Sequence, residues 1–267
     1  MTAQFAETGS VTLRWGRLAY RRTRGEGSPT VLLHPLALDS RMWELALGEL
    51  GGGRDVIAID LRGHGSSDWD GEPFTIADLA SDVAGLLQSL SIDRCDLAGM
   101  SMGGCVAMTL AASQPGLVRN LALCDTTAWY GAEARVNWEE RARAAEEKPR
   151  AELLPFQTKR WFSEAFRERS PEAVAHVVDI FVQTRGDVHA QACRALGAFD
   201  ARPAIGKITS RTLALTGEED YATPPAMGQA LADAIPGAAF KQWPGVRHFS
   251  IVESAALRTY VAKHLSA

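Results

Sequence analysis

The sequence predicts an α/β protein, a mostly parallel, doubly wound sheet interrupted in the chain by a block of helices. Three observations predict it. Short continuous apolar runs alternate with helical patterns through the first half, strand signals stop after Thr126 and give way to a charged helical stretch, and the alternation then resumes. We therefore expect a core built from residues 1–130 and 204–267, with a helical cap, residues 131–203, inserted between its two parts.

The first expected element is a hairpin. "VTLRWGRLAYRR" alternates apolar and polar side chains around Gly16, as a strand pair attached to a sheet edge does. The doubly wound body starts near Pro29. "TVLLH" (30–34), "DVIAID" (55–60), "CDLAGM" (95–100) and "NLALCD" (120–125) are apolar on both faces, as strands of a parallel sheet covered by helices must be. Within this series, "TIADLASDVAGLLQSL" carries Ile76, Leu79, Val83, Leu86, Leu87 and Leu90 at helical spacing, with Thr75 or Asp78 placed to cap its start. In the inserted block, "VNWEERARAAEEKPRAELL" and "SPEAVAHVVDIFVQT" read as helices. The strand "RTLALTG" (211–217), the helix "PPAMGQALADAI", the short strand "AFKQW" and a closing helix over 253–265 complete the chain.

Composition narrows the function. With 267 residues, 46% of them hydrophobic and 22% charged, the chain can bury a sizeable core. Its 28 basic and 32 acidic residues leave a net charge of -4 without long runs of one sign, so no nucleic-acid partner is expected. No segment has the roughly 18 apolar residues of a membrane span, and "MTAQFAETGSVTLRW" lacks the pattern of a secretory leader, so a cytoplasmic location is expected. Cys95, Cys105, Cys124 and Cys193 show no CxxC spacing and read as buried thiols, neither disulfide partners nor ligands, so no metal is expected. The first strand is followed by no GxGxxG and no P-loop lysine is present, which argues against a nucleotide cofactor. Oligomeric state is not legible.

The chemistry centres on Gly99-Met100-Ser101-Met102-Gly103, a G-x-S-x-G motif between a strand and the helix "GGCVAMTLAAS". A turn this sharp strains the serine backbone, and the flanking glycines remove side chains that would clash, which leaves the hydroxyl exposed. A serine hydroxyl is a poor nucleophile near neutral pH and needs a base, itself oriented by a carboxylate, in the chain order Ser, acid, His. His248, in "WPGVRHFSIVES", follows the last strand and opens at the same carboxyl edge of the sheet. His34, His64, His176, His189 and His264 read as solvated or packing histidines. For the acid, "TGEEDYATP" offers Glu218, Glu219 and Asp220, while Asp125 lies one strand earlier. Asp220 is favoured because Thr223 and two prolines make its loop rigid. An oxyanion would need two backbone N–H donors, expected from Met102 and from Leu36, since Pro35 has none.

With these residues in place the chain resembles the α/β-hydrolase family over nearly its whole length, because "LLHPLALDSRMW", "IDLRGHGSSD", "AGMSMGG", "TGEEDYATPP" and "GVRHF" stand in family order. Within the family it is similar to the 3-oxoadipate enol-lactonases of aromatic catabolism through "FTIADLASDVAGLLQSLSIDRCDLAGMSMGG", "RWFSEAFRER" and "TLALTGEEDYATPP". It departs from them at His34-Pro35, where those lactonases tend to have Asn-Ser. The resemblance implies a small enol-lactone substrate bearing a carboxylate, opened by water through an acyl-enzyme without metal or cofactor. A carboxylate favours a planar guanidinium, for which Arg160 is the first candidate; Trp161 beside it, Trp129 and Trp138 are candidate pocket walls. The same residues would serve a broader carboxylesterase or a carbon-carbon bond hydrolase, and a hydrolase fold can also act as a non-catalytic small-ligand receptor.

Overall fold

A computed structural model describes residues 4–266; Met1, Thr2, Ala3 and Ala267, at the ends of the outer two segments, lie outside the described residues. The chain opens with the hairpin β1 (Glu7–Leu13) and β2 (Gly16–Thr23), closed by pairing of Leu13 with Gly16. β3 (Glu26–Leu33) follows, then a 3₁₀ turn (Ser40–Leu45), the short helix α1 (Leu47–Gly51) and β4 (Arg54–Ile59). The turn and α1 have no counterpart in the sequence reading, because segments this short complete too few turns to show a repeating apolar period.

Next come α2 (Ile76–Ser89), β5 (Cys95–Met100), α3 (Met102–Ser113) and β6 (Val118–Cys124). Thr75 and Asp78 both cap α2: the Thr75 hydroxyl accepts from the Asp78 N–H while the Asp78 carboxylate accepts from the Thr75 N–H. Five consecutive helices separate β6 from the next strand: α4 (Ala134–Glu147), α5 (Arg150–Trp161), α6 (Glu164–Arg169), α7 (Pro171–Gln183) and α8 (Gly186–Gly197). β7 (Arg211–Gly217), α9 (Pro225–Ala234) and β8 (Ala239–Trp243) resume the alternation. The closing helix starts two residues later than expected and is preceded by a separate short helix. α10 (Ser250–Glu253) and α11 (Ala255–Leu265) are separated by Ser254, whose extended backbone lets its hydroxyl accept the Leu257 N–H as a cap.

The eight strands form one sheet in the order β1-β2-β4-β3-β5-β6-β7-β8, antiparallel at β1–β2 and β2–β4 and parallel thereafter. Buried side chains line both faces. Leu79, Val83 and Leu86 of α2 meet Val106 and Leu110 of α3 on one side, and Leu50, Leu257, Val261 and Leu265 pack with Trp43 on the other. Each such aliphatic side chain contributes roughly 1.5–3 kcal/mol by leaving water. The strand order reverses at β3, since β4 lies on one side of it and β5 on the other. The connections leaving the carboxyl ends of β3 and β5 therefore run to opposite faces of the sheet and leave a crevice between them.

Candidate active site

Ser101 stands at the crevice, between β5 and α3. Its backbone is left-handed (φ 51°, ψ -115°), a conformation that costs a residue with a side chain about 1–3 kcal/mol. The surroundings hold it there. The Ser101 N–H donates to Cys124 O at 2.9 Å, and the Thr126 hydroxyl donates to Ser101 O at 2.7 Å. A Cβ on Gly99 would lie 2.2 Å from Gly103 O, and one on Gly103 would lie 2.2 Å from Leu33 O, so only glycine lets strand and helix approach this closely.

The Ser101 hydroxyl donates to His248 Nε2 at 3.0 Å, and His248 Nδ1–H donates to Asp220 Oδ2 at 2.8 Å. All three side chains are buried. Asp220 also accepts the N–H groups of Ala222 (2.7 Å) and Thr223 (3.1 Å) on Oδ1 and the Thr223 hydroxyl (2.8 Å) on Oδ2. Burial pushes this carboxyl upward, but the adjacent imidazole and the Thr223 donors outweigh it and hold Asp220 below the ordinary carboxylate range. Glu218 and Glu219, the other acids of the loop, are exposed.

Asp125 is engaged elsewhere. Oδ1 accepts the Gly217 N–H (3.0 Å), and Oδ2 accepts the Ser250 N–H (3.2 Å) and hydroxyl (2.6 Å), so it ties the strand before Asp220 to the segment after His248. Burial, and then the charge of Asp220, raise it well above the usual carboxylate range.

Met102 is the first residue of α3, where backbone N–H groups have no intrahelical acceptor, and Leu36 lies on the wall of the cavity that holds Ser101 and His248. Leu61 N–H donates to His34 Nε2 (3.0 Å), so the His34 proton is on Nδ1, which donates to Pro35 O at 2.8 Å. His34 thereby fixes the loop carrying Leu36.

The helices close over this crevice. Trp161 stacks on Phe249 with ring centres 5.0 Å apart and planes at 12°, and Phe249 N–H donates to Trp161 O at 2.9 Å. Trp161, Trp138 and Arg160 all line the cavity. Trp129 does not. It forms a bridge with Asp200 and lies under the Arg202 guanidinium at 3.7 Å, while its neighbour Tyr130 faces the cavity. Adjacent residues of an extended segment point to opposite sides, so only one of the pair can face inward.

The cavity wall also contains Arg141, Gln157 and Phe181, which the sequence did not single out, and His189, which it placed among the solvated or packing histidines. Arg141 had a signal: it follows Trp138 by three residues, which places it on the same helix face. Its guanidinium lies over the Trp138 ring at 4.2 Å. Arg141 and Arg160 form no salt bridge or hydrogen bond with any described residue. Burial lowers both, and the nearby Arg141 charge helps bring Arg160 down to about 10. Two guanidiniums thus share an enclosed space with no protein carboxylate paired to either.

The model of the Alpha/beta hydrolase family matches residues 30–262. The chain belongs to this family. Among curated relatives, 3-oxoadipate enol-lactonase 2 of Acinetobacter baylyi is 31% identical over 205 residues, 77% of this chain and 76% of that protein. Among solved structures, the enol-lactonase from Burkholderia xenovorans LB400 superposes with a TM-score of 0.89 at 34% identity, covering 94% of this chain and 97% of that one. A thermophilic esterase from Thermogutta terrifontis, solved with malate bound, gives a TM-score of 0.86 at 28% identity over 97% of this chain and 100% of that one. The chain is accordingly an enzyme of the hydrolase class. No helix among the described residues is long and apolar enough to cross a membrane.

Proposed function

We propose that the protein is a serine hydrolase that opens a small carboxylated lactone, of the enol-lactone type, through an acyl-enzyme. The observation that carries this reading is the hydrogen-bonded series Ser101, His248, Asp220 beside a cavity lined by two half-buried guanidiniums that form no salt bridge with any described carboxylate. Similarity to enol-lactonases supports the lactone.

In the first step His248 Nε2 takes the Ser101 proton as Oγ attacks the acyl carbon, while the N–H groups of Met102 and Leu36 receive the developing oxyanion. Asp220 holds the imidazole with Nε2 toward serine and stabilises the imidazolium. Collapse breaks the ring C–O bond, His248 returns its proton to the leaving oxygen, and the opened chain remains esterified to Ser101. His248 next deprotonates a water that attacks this ester, and Ser101 is regenerated with release of the acid. Arg160 and Arg141 hold the substrate carboxylate, which fixes the reacting carbon against Oγ.

The test is a panel of lactones and aryl esters with and without a carboxylate, assayed on purified protein beside fluorophosphonate labelling. Carboxylated members should be turned over about 10- to 100-fold better in kcat/KM than neutral ones, the worth of charge-assisted hydrogen bonds. Labelling should fall on Ser101 and disappear in Ser101→Ala. Equal turnover of both classes would replace this reading with a broad carboxylesterase, to which the likeness with the Thermogutta esterase points. A folded protein that takes no label would instead be a non-catalytic receptor.

A further inference from the structure

The hydrolytic steps leave His189 without a role. Its ring, on α8, is only 2% exposed yet lines the same cavity as Ser101. Arg150 Nη1–H donates to its Nδ1 at 2.6 Å, and Arg150 is itself anchored by a donation from Nη2 to Phe181 O at 3.1 Å and by lying over the Phe181 ring at 4.0 Å. A guanidinium has donors only, so Nδ1 must present its lone pair and the ring proton must sit on Nε2. Protonating Nδ1 would set N–H against N–H. The titratable groups facing the ring are Arg150 from α5, Arg141 from α4 and the buried His64, with no carboxylate among them, and burial together with these cations holds His189 well below the ordinary histidine range. Nε2–H is therefore a fixed donor near neutral pH, and no described residue accepts from it. His189 lines the cavity wall, so a ligand oxygen held there could accept from this donor.

We propose that His189, locked by Arg150, is a specificity-determining hydrogen-bond donor that selects substrates carrying a further oxygen acceptor, a ketone, enol or hydroxyl oxygen, besides the carboxylate and the scissile acyl group. This rests on the hydrolase reading of the same cavity. A neutral donor suits a neutral oxygen, whereas the carboxylate belongs with the guanidiniums. His189 cannot exchange roles with His248, because its lone pair is already taken by Arg150.

Two measurements test the proposal. Nitrophenyl hydrogen pimelate and its mid-chain keto analogue carry the same carboxylate and leaving group and differ in one ketone oxygen. Wild type should favour the keto ester by about tenfold in kcat/KM, His189→Phe should lose that preference so that the ratio of the two esters falls to about one, and His189→Gln, which retains a donor, should restore part of it. A preference that is absent in wild type, or that persists in His189→Phe, overturns the proposal. Nitrogen NMR of the histidine rings should show His189 as the Nε2–H tautomer through neutral pH in wild type, with this state lost in Arg150→Met. A proton on Nδ1, or titration in the ordinary histidine range, overturns it as well. If neither ester is turned over, the function proposed above fails on its own, and the NMR arm together with calorimetric binding of the two free dicarboxylates still decides the role of His189.

Discussion

Asp125 and Asp220 stand at the ends of neighbouring strands, and their hydrogen bonds divide the work between them. Asp220 faces His248, whereas Asp125 uses both oxygens to join Gly217 to Ser250. Asp220→Asn should cost about four powers of ten in turnover, because an amide no longer holds the required imidazole tautomer. Asp125→Asn keeps a residue type that tolerates its positive φ of 49° but turns an amide donor against N–H and O–H donors. It should lower stability by about 1–3 kcal/mol and leave turnover within about tenfold. Parallel kinetics and urea titrations of the two variants check this, and crippled turnover in Asp125→Asn with an active Asp220→Asn would reverse the assignment. At the guanidiniums, Arg160→Ala and Arg141→Ala should each weaken kcat/KM for carboxylated substrates by about 10- to 100-fold and spare neutral esters. Equal losses on both classes would remove the carboxylate role.

At the scale of elements, the strand-turn-helix at Ser101 works because β5 and α3 approach nearer than any side chain permits. Gly103→Ala would place a methyl against the backbone of β3, which cannot move without disturbing the loop that carries Leu36. We expect a stability loss of about 1–3 kcal/mol and markedly slower phosphonate labelling. Unchanged labelling in a destabilised Gly103→Ala protein would separate packing at this turn from the placement of the Ser101 hydroxyl. The helices over the crevice are held by comparable contacts: the buried Glu253 accepts Ser163 N–H at 3.1 Å, the Ser163 hydroxyl, and Arg247 N–H at 2.8 Å, one residue before His248.

For the molecule as a whole, buried histidines give stability a pH dependence of definite sign. Burial lowers His34 to about 4 and His64 to about 3, both from an unfolded value of 6.5. Below that unfolded value the unfolded chain binds protons that the folded one does not, so this contribution is complete above it and is lost as pH falls toward the folded values. Asp60 and Asp125, raised by burial, act in the opposite sense. A difference between proteins isolates one group: between about pH 7 and about pH 4, wild type should lose about 3 kcal/mol more stability than His64→Gln, by urea midpoints at each pH. Parallel losses in the two proteins would show that His64 does not remain neutral.

Legibility followed the range of the interactions. Strand runs such as "CDLAGM" and "RTLALTG" coincide with β5 and β7, because apolar periodicity is local, and Thr75 with Asp78 marked a helix start for the same reason. Ser101, Asp220 and His248 were named from a glycine-flanked turn and from chain order. The short helix over 47–51 offered no repeat to read. Trp129 and Tyr130 were indistinguishable as pocket walls until the bridge to Asp200 fixed which one faces inward. The sequence by itself determined the order of elements and the supply of reactive groups, since turn chemistry and periodicity act over a few residues. Only the tertiary structure decided that Arg141 and Arg160 meet without a carboxylate and that Arg150 binds the His189 lone pair. Those facts arise from packing α4, α5 and α8 around one cavity, where the absence or presence of a partner is set by neighbours in space.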